Sequence, residues 1–236
     1  MAAAHPAYKR FLVILVLGMG IGMGLVACGG DEDPPSAAED KARAEKVVLT
    51  DADVPGLTKD PADDDTDTET DPSDEAFEKC LDNNVLLTDL GEDERGAEAS
   101  FSDEDEEVTR SSVVTFAETK KEAEEAFDAV SKDSFAGCLE DAFKTGLQEE
   151  IGSDATVGDV AVSKLPDEDL GDEHVAYRAA VDLSAAGQSF ELSFDFVFVR
   201  VDRGLAGLFA FDVEEAFAAG ERTRLTKILA DRLEDA

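Results

Sequence analysis

The sequence predicts a single α+β domain in which helices pack over an antiparallel β-sheet, an α/β sandwich, behind an N-terminal export segment. Three observations predict this class. Apolar residues recur at helical spacing over 77–81, 123–130 and 135–147, and they alternate with polar residues over 175–183 and 190–198. Short turn-forming segments, rather than long crossovers, join the alternating runs, as hairpin-connected strands require.

Composition limits the possible functions. The chain has 236 residues, with 57 Asp and Glu against 21 Lys and Arg, and a net charge of -36. This length suits one modest domain with tails and excludes a large multidomain enzyme. Nucleic acid is excluded as a partner, because phosphate backbones are bound by Lys and Arg, which are scarce here. The same charge disfavours direct docking on anionic lipid.

Residues 1–27 have the layout of a secretory signal, with two early basic residues and an uncharged run of 17 residues that ends at Ala27. Four glycines in the run lower its helix propensity, which favours a signal over a spanning helix. The run closes in Leu25-Val26-Ala27-Cys28, which resembles the lipobox of bacterial lipoproteins. The resemblance implies cleavage after Ala27, a diacylglyceryl group on Cys28, and an extracytoplasmic protein anchored to the cell membrane by lipid.

Composition divides the remaining chain into two parts. Residues 28–45 are small, charged or Pro and include no aromatic residue, which predicts a flexible tether. The domain is predicted over 46–236, opening with a short strand before the turn Val54-Pro55-Gly56 and carrying an acidic insertion at about 58–72. Phenylalanine supports this boundary, because 13 of the 14 lie from Phe77 to Phe217.

The acidic insertion contains a candidate calcium loop, Asp63 to Asp71. Asp63, Asp65 and Asp67 match alternate ligand positions of an oxygen-ligand loop. Thr68, however, stands where glycine is needed, and an aspartate replaces the bidentate glutamate further on. We interpret the stretch as a solvated, self-repelling loop, so circular dichroism should not change during a calcium titration.

Each predicted helix has an apolar stripe. A short helix begins at Ser73 and carries Phe77, Cys80 and Leu81 at i, i+3 and i+4. The next begins with a capping box, Thr119 and Glu122, and is followed by a helix that ends near Gly152. A final helix carries Leu225, Ile228, Leu229 and Leu233, together with Phe217.

The predicted strands follow from alternation and turns. They span about 97–102, 108–117, 160–162, 175–183, 190–201 and 205–211. Ala185-Ala186-Gly187 and Asp202-Arg203-Gly204 are predicted turns. Along 190–201 the face opposite the phenylalanines changes from polar residues to Val197, Val199 and Val201, which predicts a second half covered on both sides.

Two cysteines remain once Cys28 is lipidated. Cys80 and Cys138 each lie on the apolar stripe of a predicted helix, and outside the membrane an even pair is normally oxidised. A bridge closing their loop of 57 intervening residues should contribute roughly 4 kcal/mol. A redox pair would need Cys-x-x-Cys, and a zinc site would need more ligands. We therefore predict a Cys80–Cys138 disulfide and no metal site.

Together these features resemble small actinobacterial surface lipoproteins, namely the LpqN-like group and the extracellular sensor domain of PknH-type receptor kinases. The matching parts are the lipobox, residues 49–56, Cys80-Leu81, Phe135-x-x-Cys138-Leu139 and residues 197–203. The resemblance implies helices on an antiparallel sheet and a sensing or envelope role. PknH-type domains typically have two disulfides, whereas this chain can form one, and the insertion at 58–72 is its own. The resemblance carries over no binding residue.

Candidate catalytic and ligand-binding residues are few. His174 is the sole histidine after residue 27, and no Gly-x-Ser-x-Gly turn accompanies it, so we interpret it as an exposed residue at a strand start. Arg178 and Arg200 are isolated cations on strands that could orient an anionic ligand, although pairing with carboxylates is the favoured interpretation. We predict no catalytic residue, no cofactor and no cofactor-binding residue.

Three functions follow, in order of preference. The first is a non-enzymatic, membrane-anchored module that binds a small molecule, a lipid or an envelope protein, as a sensor would. The second is a carrier of a lipid or hydrophobic molecule, which requires a cavity beneath Phe190 to Phe198. The third is an envelope hydrolase, which requires His174 beside a nucleophile in a cleft.

Overall fold

The computed structural model describes residues 35–61, 94–151, 155–166, 168–185, 188–213 and 215–236. The helices in these ranges are α1 Ala37–Val47, α2 Lys120–Ser131, α3 Asp133–Ile151 and α4 Ala219–Asp235. The strands are β1 Thr58–Lys59, β2 Gly96–Ser102, β3 Val108–Phe116, β4 Ala155–Lys164, β5 Glu173–Ala185, β6 Gln188–Val201 and β7 Gly204–Val213. The predicted α+β class is confirmed.

All seven strands form one antiparallel sheet in the order β1-β2-β3-β7-β6-β5-β4. Strands adjacent in sequence pair with each other, except β3 and β4: β3 pairs with β7, and β4 lies at the opposite edge of the sheet. The turn between β6 and β7 lies at Asp202 and Arg203, with Asp202 in the left-handed region at φ 51°. The predicted hairpin is therefore confirmed, and it occupies one end of the two central strands.

Helices cover both faces of the sheet, so the domain has three layers. Helices α2 and α3 pack on the face that carries the phenylalanines of β6, where Phe135 and Phe143 are buried. Helices α1 and α4 pack on the opposite face, around Leu49 and Phe217. The second half of β6 is buried on both sides, as the valine alternation predicts.

The predicted tether over 28–45 is wrong for residues 37–45, which belong to α1. Ser36 and Glu39 form a capping box that starts the helix, and Asp40, Ala44 and Val47 are buried against the sheet. The strand predicted after residue 45 is also wrong, because α1 continues to Val47 and turns follow. The capping signal and three inward-facing positions outweigh the polar composition of this stretch.

Several predictions fall outside the described residues. These are the signal 1–27, Cys28, the calcium candidate Asp63 to Asp71, the helix from Ser73 and Cys80. Cys138 is described, lies partly buried against the core on α3, and is disulfide-bonded. Because Cys80 is not described, the Cys80–Cys138 pairing stays a prediction. None of the described helices is long and apolar enough to cross a membrane.

Strand β4 is irregular. It pairs with β5 along one side, and the register shifts between Val157 and Val160. A side chain added at Gly158 would lie 3.1 Å from Asp182 Cβ, so the strands approach closely there. Among the described residues, β4 has no strand on its other side.

Candidate functional site

A cleft of about 470 Å³ opens where β5 begins. Phe127 and Ser131 of α2 line one side, and residues 168–174 line the other. The loop backbone is held close to β6, because the Asp172 amide donates to the Arg200 carbonyl at 2.8 Å. Gly171 has φ +64°, and a Cβ there would lie 2.7 Å from the same carbonyl. Only glycine fits this approach without strain, so a glycine is required where the loop packs against β6.

Carboxylates dominate the lining of the cleft. Asp169 and Asp172 are exposed, while Glu168 and Glu173 are half-buried. The Glu168 amide donates to His174 Nδ1 at 3.4 Å, and Glu168 Oε1 accepts from the Thr223 hydroxyl of α4 at 2.8 Å. Glu168 Oε2 is buried without a hydrogen-bond partner in the described part of the chain. Glu168 Oε1 also lies 4.0 Å from the guanidinium of Arg222 on α4. The cleft is therefore lined mainly by carboxylates, most of them close to a cationic side chain.

Arg200 stands beside this cleft and is paired. Its guanidinium bonds Glu173 and donates to the Asp202 carbonyl at 2.7 Å, with Asp172 at 3.3 Å. Lys120 at the start of α2 adds contacts at 4.0 Å to Asp172 and 3.7 Å to Asp202. The favoured interpretation of Arg200 is thus confirmed, and its charge is matched by the carboxylates around it.

Arg178 lies on the face covered by α4 and is paired as well. It makes two hydrogen bonds to Asp195, of 2.6 and 2.8 Å, and donates to the Phe217 carbonyl at 2.6 Å. The hydrogen bond to Asp195 raises the pKa of Arg178. Arg222 of α4 bonds the same carboxylate at 3.1 Å. Asp195 therefore joins two strands and a helix.

A second buried ion pair adjoins the first. Arg110 of β3 bonds Asp212 of β7 at 2.8 and 3.1 Å, and its guanidinium carbon lies 4.1 Å from the centre of the Phe217 ring. Burial raises the pKa of Asp212, outweighing its hydrogen bond from Arg110. Arg110 Nε and Ser193 Oγ are buried without a hydrogen-bond partner among the described residues. The side chains of Arg110 and Asp212 are at most 10% exposed, so this ion pair is buried in the domain.

Two further buried aspartates bind arginines, and sequence reasoning missed both. Asp40 of α1 is fully buried and bonds Arg203 and Arg95. Asp53 bonds Arg232 of α4 at 2.9 and 3.0 Å. The partners lie 163 and 179 residues apart in the chain, so neither pair has a local signal. The burial of Asp40 could have been found from its position on the inner stripe of α1.

The hydrolase requirement is only partly met. His174 and Ser131 line the same cleft, but the Ser131 hydroxyl donates to the Asp128 carbonyl at 3.2 Å and His174 Nδ1 accepts from the Glu168 amide. The serine proton is therefore directed away from the imidazole, unlike the arrangement of a nucleophile and its base. Within the described residues, no three His, Cys, Asp or Glu side chains form a metal-binding group.

The carrier requirement is not met along the described part of the phenylalanine face. Phe194, Phe196 and Phe198 are at most 5% exposed. Their rings contact other aromatic rings at centroid distances of 4.9 to 6.1 Å, from α3 on one side and β7 on the other. Side chains thus fill the space beneath this face.

Comparison with known proteins adds one structural likeness. No family model matches the chain, and no curated protein matches it significantly. A solved structure, the extracellular domain of PknH from Mycobacterium tuberculosis, matches with 11% identity and a TM-score of 0.48. The match covers 86% of this chain and 100% of that one. It agrees in part with the predicted PknH-type resemblance, while the LpqN-like one stays a prediction. At this identity and score, neither ligand nor activity carries over.

Proposed function

We propose that this protein is a lipid-anchored, extracytoplasmic recognition module without enzymatic activity, and that the cleft at the start of β5 binds its ligand. The cleft is the observation that carries the proposal. Its loop packs closely against β6 at Gly171, carboxylates dominate its lining, and Glu168 Oε2 is a buried acceptor without a described partner. A carboxylate-lined cleft complements a cation, so the ligand class is a cationic small molecule or a basic segment of an envelope protein.

The non-enzymatic part of the proposal rests on how the reactive groups are used. The buried arginines bond aspartates, and the Ser131 hydroxyl bonds a carbonyl. A general base or nucleophile must instead be within reach of a reacting atom. The membrane anchor rests on the lipobox ending at Cys28, since two acyl chains give stable attachment.

Ligand binding is tested by native mass spectrometry of the protein purified from its own host's envelope, compared with the same sample after denaturation. A retained cation is expected as a mass difference that denaturation abolishes. Glu168→Gln should reduce the retained fraction, whereas Glu124→Gln on the exposed surface of α2 should leave it unchanged. Equal retention by both variants would place the ligand elsewhere. A native mass equal to that of the polypeptide alone would favour a protein partner, which cross-linking would identify.

Anchoring is tested separately. Wild-type protein should partition into the detergent phase and incorporate a labelled fatty acid, and Cys28→Ala should do neither while keeping the wild-type melting temperature. Wild-type protein in the aqueous phase would contradict the anchor. Incubation with a covalent serine-hydrolase probe tests the enzymatic alternative: labelling that Ser131→Ala abolishes would replace the recognition proposal.

A further inference from the structure

Helix α1 is fastened to one end of the sheet by a single buried carboxylate. Asp40 is 0% exposed, and Arg203 of the β6–β7 turn and Arg95, just before β2, both hydrogen-bond it. Arg203 also donates to the Ala117 carbonyl at 2.7 Å. Because a buried charge without its partners is costly, these contacts hold α1 in place on the sheet.

The chain enters the domain at this same end. Arg95 Nη1 donates to the Pro35 carbonyl at 3.1 Å, and Ser36 caps the first turn of α1. Pro35 and Ser36, the first described residues, therefore lie at the end of the sheet that carries the β6–β7 turn. We call the surface formed by Arg95, Glu118 and the β6–β7 turn the entry end.

The docked helix limits the length of chain between Cys28 and the folded domain, and therefore the maximum distance between them. Nine Cα-to-Cα steps separate Cys28 from Ala37, so in any conformation this segment spans at most about 32 Å. A tether running to residue 46 would have eighteen steps and would span at most about 65 Å. Docking of α1 thus halves the maximum distance between Cys28 and the folded domain. Strand β6, with 14 residues, is about 45 Å long, which exceeds the short tether.

Charge distinguishes the two ends of the sheet. At the entry end, Arg95, Lys120 and Arg203 lie within 4.0 Å of the carboxylates of Asp40, Glu118, Asp172 and Asp202, so cations there offset negative charge. At the far end of the same strands, Asp182 and Glu191 are exposed and lie opposite each other on β5 and β6. Anionic lipid repels the far end.

We propose that the entry end faces the lipid bilayer in which Cys28 is anchored, and that docking of α1 keeps it there. This inference rests on the lipid anchor proposed above. It makes the bilayer surface the partner of the entry end and leaves the far end of the sheet pointing away from the membrane. Any protein recognised by this module must then reach within a short distance of the membrane.

The test is energy transfer in vesicles of phosphatidylcholine and phosphatidylglycerol that carry acceptor dye on the headgroups. Lipidated full-length protein is labelled at Glu118→Cys, at the entry end, or at Gln188→Cys, at the far end; both positions are exposed. We expect at least twofold higher transfer from position 118. Asp40→Ala should lower transfer from position 118, because an undocked α1 lengthens the tether, while Glu45→Gln on the exposed side of α1 should not.

A second variant avoids any risk to folding. Ten Gly and Ser residues inserted after Gly30 lengthen the tether and leave α1 intact, and transfer from position 118 should fall. Equal transfer from positions 118 and 188 in vesicle-bound protein would overturn the orientation and leave the anchor standing. Protein that does not associate with vesicles would overturn the anchor and, with it, this inference.

Discussion

Arg178 and Asp195 lie directly opposite each other on β5 and β6 and form a two-point ion pair that Arg222 of α4 completes. The carboxylate of Asp195 is 0% exposed, so it cannot exchange its partners for water. One acidic side chain thereby ties two strands to the helix that covers them. Arg178 pairs with this carboxylate, and Arg222 pairs with it while also lying 4.0 Å from Glu168.

Asp195→Ala should therefore destabilise the domain strongly. Removing one member of a buried ion pair leaves an uncompensated charge, which costs roughly 3–5 kcal/mol. The measurement is the free energy of unfolding in urea. Asp182→Ala is the matched control, because Asp182 is an exposed aspartate on β5, and its effect should stay within about 0.5 kcal/mol. Equal effects of the two substitutions would contradict the assigned role.

Asp40 should make the docking of α1 depend on pH. Burial opposes its ionisation, but hydrogen bonds from Arg203 and Arg95 outweigh burial and hold the pKa of Asp40 below its ordinary value. A lowered folded-state pKa means that the stabilisation is fully present above the unfolded-state pKa of about 4 and is lost as pH falls through the folded-state pKa.

The check compares urea unfolding of wild type and Asp40→Asn from neutral to acid pH. Wild type should be the more stable at pH 7, and the gap should shrink below about pH 4, as the wild-type carboxyl takes up its proton. Glu45→Gln, on the exposed side of α1, should show no such gap. A gap that stays constant down to the acid limit would show that ionised Asp40 does not stabilise the docking.

The Tyr177 hydroxyl should stay protonated at alkaline pH for as long as the domain remains folded. Burial, with a smaller contribution from the charge of Asp133, raises its pKa to about 12, and its hydroxyl donates to the Val130 carbonyl at 2.7 Å. Because the folded-state pKa is raised, the stabilisation is present below the unfolded-state pKa of about 10 and is lost as pH rises towards 12.

Tyr177 is the sole tyrosine after residue 27, so tyrosinate absorbance of the cleaved protein reports it alone. The absorbance should rise together with the loss of circular dichroism near pH 12, whereas in denaturant it should rise near pH 10. Tyr177→Phe should remove the absorbance change and reduce the loss of stability between these values. Ionisation of Tyr177 near pH 10 in the folded protein would contradict its burial.

The predicted Cys80–Cys138 disulfide is open to direct measurement. Cys80→Ser should lower the melting temperature, because the bridge contributes roughly 4 kcal/mol in the chain-entropy model. Cys138→Ser should lower it equally, and wild type in reductant should match both variants. The intact mass of the oxidised protein should rise by two hydrogens on reduction. Equal melting temperatures of wild type and Cys80→Ser would overturn the pairing.

Periodicity predicted much of this fold. The alternation along β5 and β6 predicted both strands, and the change to valine at 197 predicted the double burial of the second half of β6. The capping box of Thr119 and Glu122 predicted the start of α2. These signals are local, since a strand or a helix start is encoded by residues that are neighbours in sequence.

The tertiary contacts of the site could not be predicted in this way. Asp40 meets Arg203, and Arg110 meets Asp212, more than a hundred residues apart, and with 57 acidic residues no single aspartate stands out. The cleft forms from a loop and a helix that share no motif. Helix α1, by contrast, could have been predicted from local sequence. Ser36 and Glu39 form the same capping box that marks the start of α2. The polar composition of the segment led us to predict a flexible tether there instead.

The irregularity of β4 has a consequence for how copies of this domain coexist. A regular outer strand offers an unbroken row of amide and carbonyl groups on which a second chain can extend the sheet. The register shift between Val157 and Val160 interrupts that row, and a bulge bends and twists the strand away from flat pairing. This side of the sheet is therefore a poor template for self-association, which would let copies of the lipid-anchored form proposed above lie close together without extending each other's sheets.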